Sequence, residues 1–160
     1  MLFLSIHPRY VQAIVEGRKT VELRKRRPRA EIGSTIVIYS TTPQCEVVAT
    51  AVLEHINTNR PATLWRKVRK HAAVEKQTFD NYYSHTETAV ALHFGQVGMF
   101  KHPITLNELR ERWQNFHPPQ QFRYLDRHQQ AFISNHRKRG EVGVAVIDRG
   151  ASWPAQSANT

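Results

Sequence analysis

The stretch SIHPRYVQAIVEGRKTVELRKRRP at residues 5–28, followed by IGSTIVIYSTTP at residues 32–43, decides the fold. Its hydrophobic period changes twice. An apolar strand from Leu2 to Ile6 stops at His7-Pro8. Pro8 carries the fixed φ suited to a first helical turn, and RYVQAIVEG continues that helix to Gly17, which ends it. The run T-V-E-L-R from Thr20 to Arg24 then alternates, so Val21 and Leu23 share one strand face and Thr20, Glu22 and Arg24 share the other. The expectation is an apolar pair facing a core and a polar trio facing outward. Lys19 leaves the corner where helix end and strand start meet, and such corners make clefts.

Outward from this segment, STIVIYS (34–40) and CEVVATAVLEHI (45–56) are rich in β-branched residues and suit barrel strands separated by the turn TTPQ. PATLWRKVRKH (61–71) and EKQTFDNYY (75–83) place Leu64, Val68, Phe79 and Tyr82/Tyr83 at roughly helical spacing, which predicts two short helices with Trp65 as a core anchor. TAVALHFGQVGMF (88–100) reads as a strand with glycine breaks. ITLNELRERWQNF (104–116) is a helix opened by Thr105 with Glu108 three residues on, and HPPQQFRYL (117–125) is an extended return. DRHQQAFISNHRKRG (126–140) predicts a basic helix, EVGVAVIDRG (141–150) a last strand, and ASWPAQSANT (151–160) a polar disordered tail. The expected organisation is one α+β domain over residues 1–125, a basic extension over 126–150 packed on it, and the tail.

Composition narrows the partner. In 160 residues, 40% hydrophobic, there is material for one core of ordinary size. The 23 Lys and Arg against 13 Asp and Glu leave a formal charge of +10, which favours polyanions and nucleic acid first. No apolar run approaches the roughly 18 residues of a spanning helix, and no basic amphipathic helix with an aromatic face appears, so a membrane partner is not expected. MLFLSIHP lacks a basic leader and a small-residue cleavage site, and the single Cys45 has no internal partner; both features fit a reduced, cytoplasmic compartment. Nine histidines include no tight H-x-x-x-H pair, and Cys45 has no neighbour at ligand spacing, so neither a metal nor a cofactor is expected. There is no Gly-rich phosphate loop, G-x-S-x-G elbow or Ser/His/Asp set.

The chain resembles the ASCH family. The resemblance lies in the order strand, Pro, helix, then G-x-K-T-x-E-x-R at Gly17, Lys19, Thr20, Glu22 and Arg24, then a hydrophobic strand ending Y-S-x-x-P at Tyr39, Ser40 and Pro43. It extends more loosely through Leu64-Trp65, Phe79 to Tyr83, Ala89 to Leu92 and PPQQFRYL, covering about 125 residues. The resemblance implies a PUA-like mixed β-barrel flanked by short helices, and a module that binds RNA or a modified nucleoside. A bacterial branch of the family is similar around G-R-K-T and hydrolyses the amide of acetylcytidine with a lysine, a threonine and a glutamate. Lys19 carries over; where that branch has its threonine this chain has Glu22, and the glutamate falls near Ala72 to Glu75.

These readings give a candidate site. Lys19, Thr20, Glu22, Arg24, Lys25, Arg26, Arg27, Tyr39, Ser40 and Tyr83 are expected to contact single-stranded RNA or a nucleoside in a basic cleft. Glu22 and Arg24, two apart on a strand and so about 7 Å apart, offer a base edge an acceptor and a fork of donors. In the alternative, a hydrolase acting on a modified nucleoside or on RNA, Lys19 and Glu22 are the catalytic pair, completed by Glu75, Asp80 or Tyr83. Basic runs at 24–29, 66–70 and 136–139 would meet phosphates without reading sequence.

Overall fold

A computed structural model describes residues 1–145, and the expected tail at 151–160 lies outside the described residues. Strand β1 (Leu2–Ile6) leads into helix α1 (Pro8–Val15), followed by β2 (Val21–Arg24), β3 (Thr35–Ser40) and β4 (Glu46–Asn59). Then come α2 (Pro61–Val68), α3 (Lys76–Tyr83), β5 (Ala89–Thr105), α4 (Leu106–Arg112), β6 (Arg123–Tyr124), α5 (Arg127–Gly140) and β7 (Glu141–Ala145). Local signals set the boundaries. The His7 ring accepts a hydrogen bond from the Arg9 amide at 3.2 Å and caps α1, with Pro8 in the first turn. Gly17 sits at φ 74°, the left-handed turn needed to leave α1. Thr105 and Glu108 form the expected capping box on α4.

The strands form one curled mixed sheet in the order β2-β5-β4-β3-β1-β6, with β7 paired to β5. The fold is α+β, an open barrel of the PUA-like kind. Among the described residues only β1 and β3 pair in parallel, through registers such as Leu4 with Ile38; the other ladders are antiparallel. Strand β5 pairs in turn with β2, β4 and β7. The expected glycine breaks do not interrupt it. Gly95 instead permits a close approach, since a Cβ there would collide with the Glu54 carboxylate.

Alternation along β1 and β3 sorts the core in two. Leu2, Leu4, Ile6, Ile36 and Ile38 fill the barrel together with Val90, Leu92 and α1's Val11 and Ile14. Phe3, Val37 and Tyr39 face the other way, under α4 and α5, with Leu109, Trp113, Phe116 and Ile133. A third cluster joins Val21 and Leu23 to Leu64, Val68, Phe79 and Tyr83 of α2 and α3. The reading of β2 needs correction here. All four of its residues are buried, because α2 and α3 cover one face and the barrel covers the other. Glu22 and Arg24 stand opposite Leu92 and Val90, so they share the barrel-side face and do not look out to solvent.

Candidate functional site

The ladder path runs from β2 at one end to β1 and β6 at the other, and a side chain spans the opening. From β2, Arg24 donates through Nη2 to the Ser5 carbonyl of β1 at 2.9 Å and through Nε to the Gln121 carbonyl, just before β6, at 3.2 Å. Its Nη1 meets the Leu23 carbonyl at 3.0 Å and pairs with Glu22 Oε1. Lys19 Nζ lies 3.3 Å from the other carboxylate oxygen, Oε2, and donates to the Ala72 carbonyl at 2.7 Å. Lys19, Glu22 and Arg24 are 1%, 5% and 7% exposed, which makes them a buried cation–anion–cation triad.

Burial pulls the Lys19 ammonium below its usual pKa, against the attraction of Glu22. The Tyr10 ring lies over it, 4.9 Å from Nζ to the ring centre, and the Arg9 guanidinium packs on the same ring at 4.5 Å. Both oxygens of Glu22 are engaged by cations, so its carboxylate orients Lys19 and Arg24. An ammonium has three N–H groups, and Lys19 spends two on Ala72 and Glu22.

A cavity of about 180 Å³ opens beside the triad. Its walls come from the end of β1 (Ser5, Ile6, His7), from Tyr10, from Lys19 to Arg24 without Thr20 and Val21, and from Val74, Thr78, Phe79 and Tyr82 on the α3 side. Burial raises the Tyr82 phenol, whose hydroxyl adjoins Gln121 and Arg24, and Lys25 Nζ packs over its ring at 5.0 Å. The arrangement can hold a flat, partly apolar group between aromatic walls and offer it a cationic donor.

Of the residues expected at the site, Lys19, Glu22 and Arg24 come together on this cavity. Lys25, Arg26 and Arg27 are exposed on the turn that follows, with Arg27 donating to Thr58 Oγ1 at 3.1 Å. Thr20 is half-buried and outside the wall, its amide bonded to the His71 carbonyl at 2.9 Å. Tyr39 is a core residue stacked 5.7 Å from Phe3, on the far face of β3, and burial pushes its phenol up. Ser40 is buried with its hydroxyl 3.4 Å from Gln44 Oε1. Tyr83 is also core; its hydroxyl reaches the carbonyls of Arg24 and Val90 at 3.1 and 3.2 Å, and burial raises its pKa. Of the suggested third groups, Asp80 pairs with Lys76 on the surface and Glu75 holds the position before α3 without a side-chain capping bond, neither lining the cavity.

Sequence reasoning missed His7, Tyr10, Thr78 and Tyr82. Thr78 and Tyr82 are four apart on one helix face, a spacing that could have flagged them. Among the described residues no cluster of His, Cys, Asp and Glu could hold a metal ion, and no helix is long and apolar enough to cross a membrane.

Comparison with known proteins accords with the architecture. The model of the ASCH domain matches residues 4–98. The ASCH domain-containing ribonuclease of Zymomonas mobilis is 36% identical over 122 residues, covering 76% of this chain and 82% of that protein. Large ribosomal subunit protein uL22 of Ureaplasma parvum is 26% identical over 108 residues, 67% of this chain but 34% of that longer protein. The crystal structure of ASCH from Zymomonas mobilis superimposes with a TM-score of 0.78 at 34% identity, over 83% of this chain and 93% of that one. The N-terminal domain of Staphylothermus marinus McrB, at 9% identity and a TM-score of 0.52 over 84% of this chain and 92% of that one, shares the fold alone. A domain match spanning more than half the chain, joined to a full-domain relative at this identity, makes the protein a member of the ASCH domain family.

Proposed function

We propose that this ASCH domain binds single-stranded RNA and takes one unstacked base into the cavity beside Lys19, Glu22 and Arg24. The observation that carries the reading is the buried triad on the wall of a base-sized cavity that also holds Tyr10 and Tyr82. Recognition of RNA by proteins commonly splays out unpaired bases, stacks them on aromatic rings and hydrogen-bonds their edges. Here Tyr82 supplies a ring and Lys19 a donor suited to a base carbonyl or ring nitrogen, while exposed Lys25 and Arg26 neutralise the adjoining phosphates. The relative named a ribonuclease supports an RNA partner.

That relative also favours a second reading, RNA cleavage, in which Lys19 is the cation at the reacting phosphate. The engagement of both Glu22 oxygens counts against Glu22 as the base in that step. The test is to titrate labelled unpaired oligoribonucleotides and a panel of nucleosides, acetylcytidine included, and to follow RNA and nucleosides by mass spectrometry. Saturable RNA binding that Tyr82→Ala weakens, with the RNA recovered intact, supports binding. Shortened products lost in Lys19→Ala support cleavage, and deacetylated cytidine supports the amide hydrolase. Absence of any RNA or nucleoside interaction overturns all three.

A further inference from the structure

We propose a second phosphate-binding surface, separate from the cavity, where the end of α5 meets β5 and α4. The inference rests on the RNA reading above and extends it to a face which that reading leaves unused. Three elements converge there. The His136 ring nitrogen Nε2 lies 2.6 Å from the His102 carbonyl, and its ring packs 4.9 Å from Phe100. Gly140 lies against Lys101, close enough that a Cβ would meet the Lys101 Cβ at 3.3 Å. From α4, the Arg112 guanidinium covers the Phe132 ring at 5.7 Å. These contacts set Lys101, His102, Arg112 and His136 around one junction, and Lys138 and Arg139 stand exposed on the same last turn of α5.

The last turn of a helix favours cations for its own stability, which accounts for Lys138 and Arg139 alone. Arg112 stands likewise in the last turn of α4, whereas Lys101 comes from β5 and has no such reason to gather there. Lys101, Arg112, Lys138 and Arg139 are exposed, and none forms an ion pair with another described residue. The nearby acid Glu108 accepts from the Thr105 amide and hydroxyl at 2.8 Å each, and its attraction to His136 and Arg112 offsets part of this charge, leaving Lys101, Lys138 and Arg139. Exposed cations contributed by three elements, in excess of the described acids beside them, make a surface complementary to a chain of phosphates. The cavity is built from β1, α1, β2 and α3, so a base held there and a backbone held here are contacts of different parts of the fold.

The test uses the full chain carrying Lys101→Glu, Lys138→Glu and Arg139→Glu, with the triple Ala variant as a control for charge reversal and thermal unfolding as a control for folding. Binding is measured to long unpaired RNA across a salt series, to a single nucleoside, and to phosphatidylserine vesicles. The expected result is at least tenfold weaker binding of long RNA at low salt, a log-log salt slope smaller by about 2 for three lost contacts, and unchanged nucleoside binding. RNA affinity and slope equal to those of the parent overturn the second surface while leaving the cavity reading intact. Equal loss of nucleoside binding overturns its separateness, and loss of vesicle binding with RNA unaffected reassigns it to lipid. A parent protein that binds no RNA defeats the RNA reading and this inference together.

Discussion

Arg24 donates to the main-chain carbonyl of Ser5 at 2.9 Å, so a side chain joins β2 to β1 across a sheet whose ladder does not close among the described residues. The guanidinium fork serves both this closure and the triad, because one planar group meets three carbonyls and a carboxylate. Arg24→Ala is therefore expected to destabilise the fold by about 3–5 kcal/mol, the usual cost of leaving a buried charge without its partner. Arg24→Lys should recover little, since an ammonium cannot reproduce the fork. Urea unfolding measures both, and a parent-like midpoint for Arg24→Ala would refute the structural role.

Glu22→Gln keeps the shape of the side chain but leaves Lys19 and Arg24 as two buried cations. We expect a loss of about 3 kcal/mol or more, visible as a thermal midpoint lower by roughly 10 °C. The outward-facing strand of the sequence reading implied almost no change, so calorimetry on this variant separates the two pictures.

Tyr82→Ala should weaken binding of unpaired RNA by about 1–3 kcal/mol, the range for a base stacked on an aromatic ring, while Tyr82→Phe keeps most of the affinity. Fluorescence anisotropy reads both variants. Equal loss in the two would shift the role from the ring to the hydroxyl that adjoins Gln121 and Arg24.

Replacing Lys25 and Arg26 by Ala should leave the unfolding midpoint unchanged, since both are exposed and contribute little to stability. The salt slope of RNA binding should fall by about 1.4, or 0.7 for each lost phosphate contact. An unchanged slope would remove this turn from the contact surface.

His93 has its pKa depressed to about 4, first by burial and then by the neighbouring His55 and His71; its ring lies 5.4 Å from that of His55, its partner across β4 and β5. The unfolded chain, with a histidine pKa near 6.5, binds the proton more readily, so stability should rise with pH between about 4 and 6.5. It is full above that window and falls as the solution is acidified through it, by about 3 kcal/mol at most. Unfolding midpoints across this range should lose much of their slope in His93→Phe.

Much of the fold was legible because its signals are local. Pro8 and Gly17 bracket α1, Thr105 and Glu108 open α4, and β-branched runs mark β3 and β4. The orientation of β2 was not legible, because V-E-L-R reads as half-exposed unless one knows that α2 and α3 cover Val21 and Leu23 while the barrel covers Glu22 and Arg24. Adjacent residues on a helix point about 100° apart, and spacing alone could not say which of Tyr82 and Tyr83 meets the cavity. Tyr39 misled for a related reason: alternation along β3 puts it with Phe3, and nothing in Y-S-x-x-P reveals which side of the sheet carries the cavity.

Strand β5 sets a distance. Val90 pairs with Arg24 near the cavity, and Lys101, eleven residues further along the same strand, borders the second basic surface. At about 3.3 Å per residue the strand separates them by at most about 36 Å, and its register shifts against β4 shorten that span. A continuous hydrogen-bonded strand does not stretch, so β5 acts as a ruler between the two contacts. RNA too short to bridge that interval should gain only one contact, and affinity plotted against RNA length should show a step where the second is reached.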